Sequence, residues 1–342
     1  MRVTQQDIAR LAKVSQSTVS RVVAGDQRVE EEIRERVMTV MRNHNYRPDV
    51  RARSLRTQST HLIGLVMKRE ARDLQGDPFF SMFVSEILGF LSSTPYHLCV
   101  DIAASALRQE FIYDELLRTR RVDGLILVES EPRDERVERL QKDAFPFVII
   151  GNPGSDVDLH SVDNDNILAG EVATRHLVEQ GYKRIGFLAG PASLTVSKDR
   201  IRGYANIMEE FGQKPRTWYS DFGHDAARRV ALKALGDLDR PDALVVLDDF
   251  MAMGVIEAAR ELSLPLGSHL GLVSFNDSNL CQLVPGGLSS VSLNISKMVQ
   301  FACEKLLSSI EGTNGFDEKR SIVSCELRAR ASSVRTPEVS LV

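Results

Sequence analysis

The sequence lacks the features that mark secreted, membrane-spanning or metal-binding proteins. Its four cysteines (Cys99, Cys281, Cys303 and Cys325) stand far apart without a C-x-x-C pair, which argues against a disulfide framework or a zinc site. No apolar run approaches the ~18 residues that a membrane span needs. The first residues, MRVTQQDIARLAKVSQ, contain no signal-peptide apolar stretch. We therefore expect a protein of the reducing cytoplasm with no membrane partner.

Signatures of catalysis are also missing. No G-x-G-x-x-G follows an apolar strand, and neither a G-x-x-x-x-G-K-[ST] phosphate loop nor a G-x-S-x-G nucleophile elbow occurs. The seven histidines are scattered without H-x-x-x-H spacing. Asp248 and Asp249 follow an apolar run, but neighbouring residues at a strand end point to different faces, so a binding or capping role is favoured over acid–base work. We expect no enzyme activity, no cofactor and no metal.

The 342 residues are 43% hydrophobic and 26% charged, which fits two or three folded units. Residues 1–60 carry 12 Lys or Arg against 7 Asp or Glu, whereas the other 282 residues carry 31 against 40. A basic end on an acidic body fits a nucleic-acid contact confined to that end. A solubilising surface with chance clustering would also explain a difference of this size.

The N-terminal residues 1–46 are predicted to form three short helices. Thr4 and Ser15 are typical N-cap residues that each precede an apolar stripe at helical spacing, and a third stripe begins at about Glu30. The apolar positions are Ile8, Leu11 and Ala12, then Val19, Val22 and Val23, then Ile33, Val37, Val40 and Met41. Because only a short turn and the cap separate the first two helices, they are typical of a helix-turn-helix module.

The second predicted helix leaves one face free of apolar side chains. At ~100° per residue, its valines occupy one side and Ser17, Ser20 and Arg21 the other, with Gln16 at the N-terminal flank. These side chains suit base edges, since Arg pairs with guanine, Gln with adenine and Ser with either. A solvated face on an ordinary helical bundle remains the alternative.

The segment 47–60 is short and strongly basic. It carries Arg47, Arg51, Arg53 and Arg56 around Leu55. A helix of this length is marginal in water, so we expect it to order on a partner that neutralises it. An apolar side chain flanked by arginines fits insertion between base steps from the minor groove. A plain linker is the alternative.

Two motifs in this region closely resemble the head-piece of lactose-repressor-type (LacI/GalR) transcription regulators. They are V-S-x-x-T-V-S-R-V, from Val14 to Val22, and Y-x-P-x-x-x-A-R-x-L, from Tyr46 to Leu55. The resemblance implies that the helix from Ser15 reads the major groove and that a hinge helix inserts its leucine into the minor groove. The predicted DNA-binding residues are Thr4, Ser15, Gln16, Ser17, Ser20, Arg21, Ala52, Arg53, Leu55 and Arg56. Lys13 departs from the family, which usually has glycine in this turn.

Beyond residue 60, short apolar strands alternate with helical patterns in two series. The strands are predicted at 61–67, 96–103, 123–128 and 147–152, and then at 184–190, 243–248 and 270–276. Helices fit at about 79–92, 105–120, 165–180, 198–212, 223–236, 249–262 and 295–311. This alternation predicts two α/β lobes with parallel sheets. Because ligands bind beyond the carboxyl ends of such strands, two facing lobes make a cleft.

The family resemblance continues through this body. It is carried by DPFF (77–80), VDGLIL (122–127), the run 161–191, S-x-x-R-x-x-G-Y (197–204) and LVSFND (272–277). These segments resemble a periplasmic-binding-protein-like effector domain with Rossmann-like parallel sheets, which implies that the chain crosses three times between the lobes. The implied division is 1–46 helix-turn-helix, 47–60 hinge, 61–161 with 289–318 N-terminal lobe, 162–288 with 319–333 C-terminal lobe and 334–342 tail.

The resemblance also implies an effector site in the cleft. The candidate residues are Phe79, Phe80, Ser197, Arg200, Phe222, Asp248 and Asn276. The phenylalanines would stack on a ring, while the polar side chains would hydrogen-bond hydroxyls or a carboxylate. Taken singly, each phenylalanine also fits ordinary core packing. A hydroxyl-rich sugar is the first expectation, with a phosphosugar or another small metabolite as alternatives.

Two departures from the family bear on the ligand. The stretch KREARDLQG (68–76) is longer than usual, and its Lys68, Arg69 and Arg72 could reach the cleft mouth and favour an anion, although we expect a solvated loop. Asp248-Asp249 also replaces the usual Asn-Asp, and the run Phe275-Asn276-Asp277 replaces aromatic-Asp-Asp. Position 248 therefore carries Asp where the family usually has Asn, and position 276 carries Asn where the family usually has Asp.

Together these patterns predict a homodimeric, ligand-responsive repressor that binds a pseudo-palindromic operator in double-stranded DNA. A sugar- or nucleoside-processing enzyme is one alternative, against which the missing catalytic signatures argue. A pure ligand-binding module is another, but it would not need the basic segment 1–60. The tail VRTPEVSLV has no leucine heptads, so no coiled-coil tetramer is expected.

Overall fold

A computed structural model describes residues 3–46, 59–69, 74, 76–154, 159–313 and 318–335. The chain divides into two compact units, Met1–Thr60 and His61–Val342. Among the helices of the described ranges, none is long and apolar enough to cross a membrane.

The described residues of the N-terminal unit form three helices, as the apolar stripes predict. Their bounds are α1 (Gln5–Leu11), α2 (Gln16–Val23) and α3 (Glu31–Asn43). Their apolar faces meet in a small core around Ile8, Val19 and Val37. Lys13, in the turn between α1 and α2, has a φ of +52°. This left-handed conformation costs a non-glycine residue ~1–2 kcal/mol, which explains why glycine is usual there.

The C-terminal unit is built on two six-stranded sheets. The strands of the first sheet are β1 (Leu62–Lys68), β2 (His97–Ala103), β3 (Gly124–Leu127), β4 (Phe147–Ile150), β5 (Ser161–Asn164) and β11 (Arg320–Val323). Those of the second are β6 (Ile185–Ala189), β7 (Thr217–Tyr219), β8 (Ala243–Val246), β9 (Gly271–Phe275), β10 (Ser289–Ser292) and β12 (Glu326–Arg328). Each sheet is the centre of one lobe, so the predicted pair of α/β lobes is confirmed.

Nearly all strand pairs are parallel. The order is β11-β5-β4-β3-β1-β2 in the first sheet and β12-β10-β9-β8-β6-β7 in the second, where β12 alone runs antiparallel to its neighbour β10. The central strands β3, β4, β8 and β9 are buried along their whole length. Burial on both faces explains why these strands are continuous apolar runs in the sequence.

Helices cover the two sheets. They are α4 (Pro78–Leu91), α5 (Ala106–Thr119), α6 (Glu135–Lys142), α7 (Asn166–Glu179), α8 (Thr195–Glu210), α9 (His224–Leu235), α10 (Asp249–Glu261), α11 (Leu280–Leu283) and α12 (Ile295–Glu311). The helices predicted between residues 79 and 311 all occur, within a few residues of their predicted ends. The helices α6 and α11 were not predicted.

The chain crosses between the sheets three times, but at other positions than predicted. It leaves the first sheet after Asn164, returns to it after β10 and leaves it again after β11. The predicted lobe boundaries at 161, 289 and 319 therefore assign part of β5 and all of β10 and β11 to the wrong lobe. These strands are short and partly polar (SVDN, SSVS and RSIV), so no apolar run marked them in the sequence.

Candidate functional site

The helix α2 presents a polar face, as predicted. Val19 and Val22 are buried in the core of the N-terminal unit, whereas Gln16, Ser17 and Arg21 are exposed. Arg21 has no carboxylate within 4.0 Å among the described residues. The exposed face therefore offers hydrogen-bond donors and acceptors, and the guanidinium of Arg21, to an external partner.

The two predicted cap residues hold the ends of their helices. The Thr4 hydroxyl accepts from the Asp7 N–H (3.3 Å) and the Thr4 N–H donates to Asp7 Oδ2 (3.0 Å), which completes a capping box on α1. The Ser15 hydroxyl accepts from the Thr18 N–H (3.0 Å) at the start of α2. Such caps leave the other N–H groups of the first turn free to meet a phosphate.

The remaining predicted DNA-binding residues divide into two groups. Ser20 is half-buried on α2 and has an internal interaction. The predicted hinge residues Ala52, Arg53, Leu55 and Arg56 lie outside the described residues.

Between the two sheets of the C-terminal unit lies a cavity of about 130 Å³. Its wall includes residues at the carboxyl ends of strands of both sheets: Glu129 two residues after β3, Gly151 directly after β4, Leu247 directly after β8 and Asn276 directly after β9. Because the carboxyl ends of parallel strands meet at one edge of each sheet, the two lobes bring these polar ends together.

Phe79 and Phe222 supply aromatic surface to the cavity. Phe79 lies in the first turn of α4, where the Asp77 carboxylate accepts the Phe79 N–H (2.9 Å) and so fixes the start of the helix. The Phe79 ring stacks on Phe83 with ring centroids 5.8 Å apart. Phe222 lies between β7 and α9, and the guanidinium of Arg69 is 3.8 Å from the centroid of its ring.

Four carboxylates line the same cavity: Asp77, Glu129, Asp163 and Asp248. Burial raises the pKa of all of them, to about 7 for Asp163 and for Asp248. The charge of Asp77 raises the pKa of Asp248 further. A ligand hydroxyl that donates a hydrogen bond to such a carboxylate would stabilise its ionised form. The cavity therefore favours hydrogen-bond donors.

Arg200 is the buried cation of the cavity, at 5% exposure. Its Nε donates to Asn166 Oδ1 (2.9 Å) and its Nη1 to the Leu247 carbonyl (2.7 Å), while the guanidinium lies 4.2 Å from the Phe275 ring centroid. Burial lowers the pKa of Arg200 to about 10, and the charge of Asp163 opposes that shift. The group stays cationic at neutral pH and is held in one orientation.

Several residues of the cavity wall have backbone conformations with a positive φ. Glu129 has a φ of +57°, Asn276 of +101° and Gly151 of +129°. These angles are unfavourable for Glu129 and Asn276, and at Gly151 a Cβ would approach the Ser130 hydroxyl to 2.7 Å. Strained residues of this kind concentrate at functional sites, because the surrounding structure must hold them in place.

Most of the predicted effector residues come together in the cavity: Phe79, Arg200, Phe222, Asp248 and Asn276. Phe80 and Ser197 do not line it. Phe80 is half-buried and packs against the apolar core, and Ser197 is fully buried with a hydroxyl that has no hydrogen-bond partner among the described residues. The described lining therefore does not include these two predicted residues, which lie in α4 next to Phe79 and in α8 three residues before Arg200.

Several cavity residues were not predicted as site residues, including Asp77, Glu129, Asp163 and Asn166. Asp163 and Asn166 stand in the run SVDNDN, where clustered short polar residues next to β5 were the available signal. Asp77 precedes Pro78 and the predicted phenylalanines. Glu129 follows a buried strand, the place where ligand-binding side chains are expected in a parallel sheet.

Arg69 also lines the cavity, so the expectation of a solvated loop is wrong for this residue. Its Nη2 pairs with Glu129 Oε1 at 2.5 Å. Lys68 instead pairs with Glu131 at 3.4 Å and stays half-exposed, and Arg72 lies outside the described residues. Since Glu129 neutralises Arg69, this residue does not supply the free positive charge that an anionic ligand would need.

No cluster of three or more His, Cys, Asp or Glu side chains in the described ranges is arranged to hold a metal ion.

Comparisons with known proteins match both units. The family "Bacterial regulatory proteins, lacI family" matches residues 4–49, and "Periplasmic binding protein-like domain" matches residues 174–333. The HTH-type transcriptional regulator MalR of Streptococcus pneumoniae serotype 4 is 31% identical over 297 residues, which cover 83% of this chain and 90% of that protein.

Solved structures match over nearly the whole chain. A complex of the transcriptional regulator CelR with cellobiose has a TM-score of 0.74 and 25% identity, and covers 97% of this chain and 100% of its own. A lac repressor dimer bound to operator and the anti-inducer ONPF has a TM-score of 0.85 and 22% identity, and covers 98% of this chain and 100% of its own. The fold is thus that of the lac repressor, and through its similarity to MalR the chain belongs to the lacI family of bacterial regulatory proteins.

Proposed function

We propose that the chain is a homodimeric transcriptional repressor that binds a pseudo-palindromic operator in the bacterial cytoplasm, with an affinity set by a neutral polyhydroxylated ligand. The proposal rests on one observation: a single chain carries both parts of a regulator. One part is the helix α2, which exposes Gln16, Ser17 and Arg21 to DNA, and the other is a two-lobed unit with a polar cavity. A regulator needs both parts, whereas an enzyme or a simple binding protein does not need the first.

The charges of the cavity favour a neutral sugar as the ligand. Among the described lining residues, four carboxyl groups (Asp77, Glu129, Asp163 and Asp248) face two cations, Arg69 and Arg200. A phosphosugar or organic acid would bring further negative charge into this excess of carboxylates, which is unfavourable in a buried site. Sugar hydroxyls can donate to carboxylates and accept from Arg200, and a pyranose face can pack on Phe79. The cellobiose complex of the related CelR supports the same class of ligand.

A regulatory role, and not catalysis, is favoured by the residue types of the cavity. Its described lining contains no histidine and no cysteine, so it offers neither an imidazole base nor a thiol nucleophile. Asp248 caps α10 by accepting the Met251 N–H (2.7 Å), a structural role that agrees with the capping interpretation.

A homodimer contact is proposed at the edge of the first sheet. β2 is the edge strand, and α4 and α5 pack beside it on opposite faces. Large apolar side chains are exposed along this edge: Leu88, Val100, Ile102, Leu107 and Phe111. An exposed edge strand flanked by apolar residues is typical of a surface that a partner covers.

The proposed base contacts are tested by removing the Arg21 guanidinium. Operators are selected from random duplexes with the full chain, and binding of Arg21→Ala is measured on the operator and on single-base variants. We expect affinity for the best operator to fall by about 1–3 kcal/mol and preference at one base pair to disappear.

Arg36→Ala is the matched control, since it removes the same charge from α3 of the same unit, where Arg36 is 3.9 Å from Glu32. We expect it to lower binding to all duplexes about equally. If Arg21→Ala also weakened every duplex equally, Arg21 would be a phosphate contact and the proposed reading face would be wrong. If the wild-type chain preferred no duplex, the repressor proposal itself would fail.

A further inference from the structure

The guanidinium of Arg69 sits in the cavity wall as a bound cation would. It pairs with Glu129 Oε1 at 2.5 Å and lies 3.8 Å from the centroid of the Phe222 ring. A carboxylate and an aromatic face at these distances are the partners that proteins use to bind cationic ligands. Here the cation belongs to the chain itself.

Burial distinguishes this ion pair from its neighbour. The side chains of Arg69 and Glu129 are 13% and 15% exposed, whereas those of Lys68 and Glu131 are 41% and 38% exposed. Charges screened from water interact more strongly and are harder to separate, since each would be left buried without a partner. The exposed pair of Lys68 and Glu131 contributes little to the free energy of unfolding by comparison.

The contact also joins the two lobes. Arg69 and Glu129 follow β1 and β3 of the first sheet, whereas Phe222 follows β7 of the second. The Ser130 carbonyl accepts the Thr195 N–H (3.1 Å) across the same gap. The lobes are therefore held together at this end of the cavity by the chain's own groups.

We propose that Phe222 and Glu129 form a cation subsite that the protein's own Arg69 fills. This contact is a clasp that holds the two lobes together. It also restricts the effector to molecules without a positive charge at this end of the cavity. A neutral ligand does not displace Arg69, since Glu129 would lose its counter-charge. The neutral ligand binds beside the Arg69 guanidinium, which forms part of the cavity wall that the ligand contacts. Only the statement about the effector rests on the proposed function, whereas the subsite and the clasp rest on the cavity alone.

Chemical rescue tests the subsite without knowledge of the effector. Arg69→Ala in the full chain removes the guanidinium and leaves its place open. Ethylguanidinium is then titrated against wild type and variant at constant ionic strength, with thermal unfolding as the readout. We expect a saturable rise in the Tm of Arg69→Ala and none in the wild type. Lys68→Ala, which removes the adjacent exposed cation, should behave as the wild type.

Two double variants identify the partners. Arg69→Ala/Glu129→Gln and Arg69→Ala/Phe222→Leu should each lose the rise in Tm, because the carboxylate or the ring is missing. An equal response of Arg69→Ala and Lys68→Ala, or a response that survives both double variants, would overturn the subsite. Should Arg69→Ala not fold, Arg69→Val keeps the first part of the stem, and methylguanidinium replaces ethylguanidinium in every titration.

A second arm addresses the effector. Neutral sugars and their amino analogues are compared as stabilisers of each variant. In Arg69→Ala we expect the affinity for the amino analogue relative to its neutral parent to rise about tenfold, and to return to the wild-type ratio when Glu129→Gln is added. An unchanged ratio would overturn the restriction to uncharged effectors. Rescue by ethylguanidinium without stabilisation by any sugar would leave the subsite standing and contradict the proposed sugar effector.

Discussion

Asp248 serves two purposes at once. Its carboxylate accepts the Met251 N–H (2.7 Å) at the N-terminus of α10 and faces the cavity. Capping favours the ionised form, but burial and the nearby Asp77 dominate and raise the pKa of Asp248 to about 7. Asp248 therefore changes its protonation state near neutral pH, at a position in the cavity wall that a bound ligand would contact.

The raised pKa of Asp248 makes the free energy of unfolding depend on pH. In the unfolded chain the carboxyl ionises near its ordinary value of 3.8. Between that pH and about 7 the folded state holds a proton that the unfolded state has lost, so this group destabilises the fold increasingly as pH rises. Above about pH 7 the penalty stays constant.

Asp248→Asn isolates this contribution, since asparagine also caps helices but does not titrate. We expect the variant to gain free energy of unfolding over wild type as pH rises from about 4 to about 7, with a constant gain above. Denaturant unfolding followed by the fluorescence of Trp218, the single tryptophan, measures it. Asp225→Asn, an exposed first-turn carboxylate of α9, is the control. A gain that did not vary with pH would contradict the shifted pKa.

The residues of the cavity were only partly predictable from sequence. Phe79, Arg200 and Asp248 were identifiable because family motifs mark their positions. Arg69 was not, because its environment depends on Glu129, which is distant in sequence, and on Phe222 in the other lobe. Side chains that approach each other only after two lobes meet leave no periodic pattern in a single sequence.

Two helices of the second lobe depend on glycine where they cross. A Cβ at Gly203 of α8 would overlap the Ile167 carbonyl oxygen of α7, and one at Gly170 of α7 would overlap the Arg200 carbonyl oxygen of α8. The same helices carry Asn166 and Arg200, whose side chains are joined by a 2.9 Å hydrogen bond in the cavity. Close packing therefore sets the position of the buried guanidinium.

Gly203→Ala should destabilise the C-terminal unit by about 1–3 kcal/mol, because the added methyl group forces the helices apart. Gly89→Ala is the matched control: Gly89 is in α4, where a Cβ would meet nothing within 4 Å. That change should stabilise by about 0.5–1 kcal/mol, since alanine favours the helix. Denaturant unfolding of both variants measures the difference, and equal effects would contradict the crossing geometry.

Most elements of the fold could be predicted from sequence, and the exceptions have a common cause. Long helices with wide apolar stripes and strands buried on both faces, such as β3 and β8, carry strong patterns. The helix α6 buries only Val137 and Leu140 among charged residues, and β10 is the polar run SSVS. Tertiary packing decides the structure of these segments, so the local sequence carries little signal for them.

The boundary between the basic and the acidic part of the sequence coincides with the boundary between the two compact units. The basic residues 1–60 include the compact helical unit with its exposed reading face, and the acidic remainder includes the lobes and the cavity. The ligand and the DNA are thus assigned to different units of one chain. A repressor of this design works only if binding in one unit changes the free energy of binding in the other.

Reciprocity of the two binding events is the most direct test of this account. With the sugar that most stabilises the wild-type protein, operator affinity is measured with and without sugar, and sugar affinity with and without operator, on the full chain at fixed salt. We expect both affinities to change by the same factor, corresponding to a coupling free energy of about 1–3 kcal/mol. Sugar affinity that is unaffected by saturating operator would contradict the account.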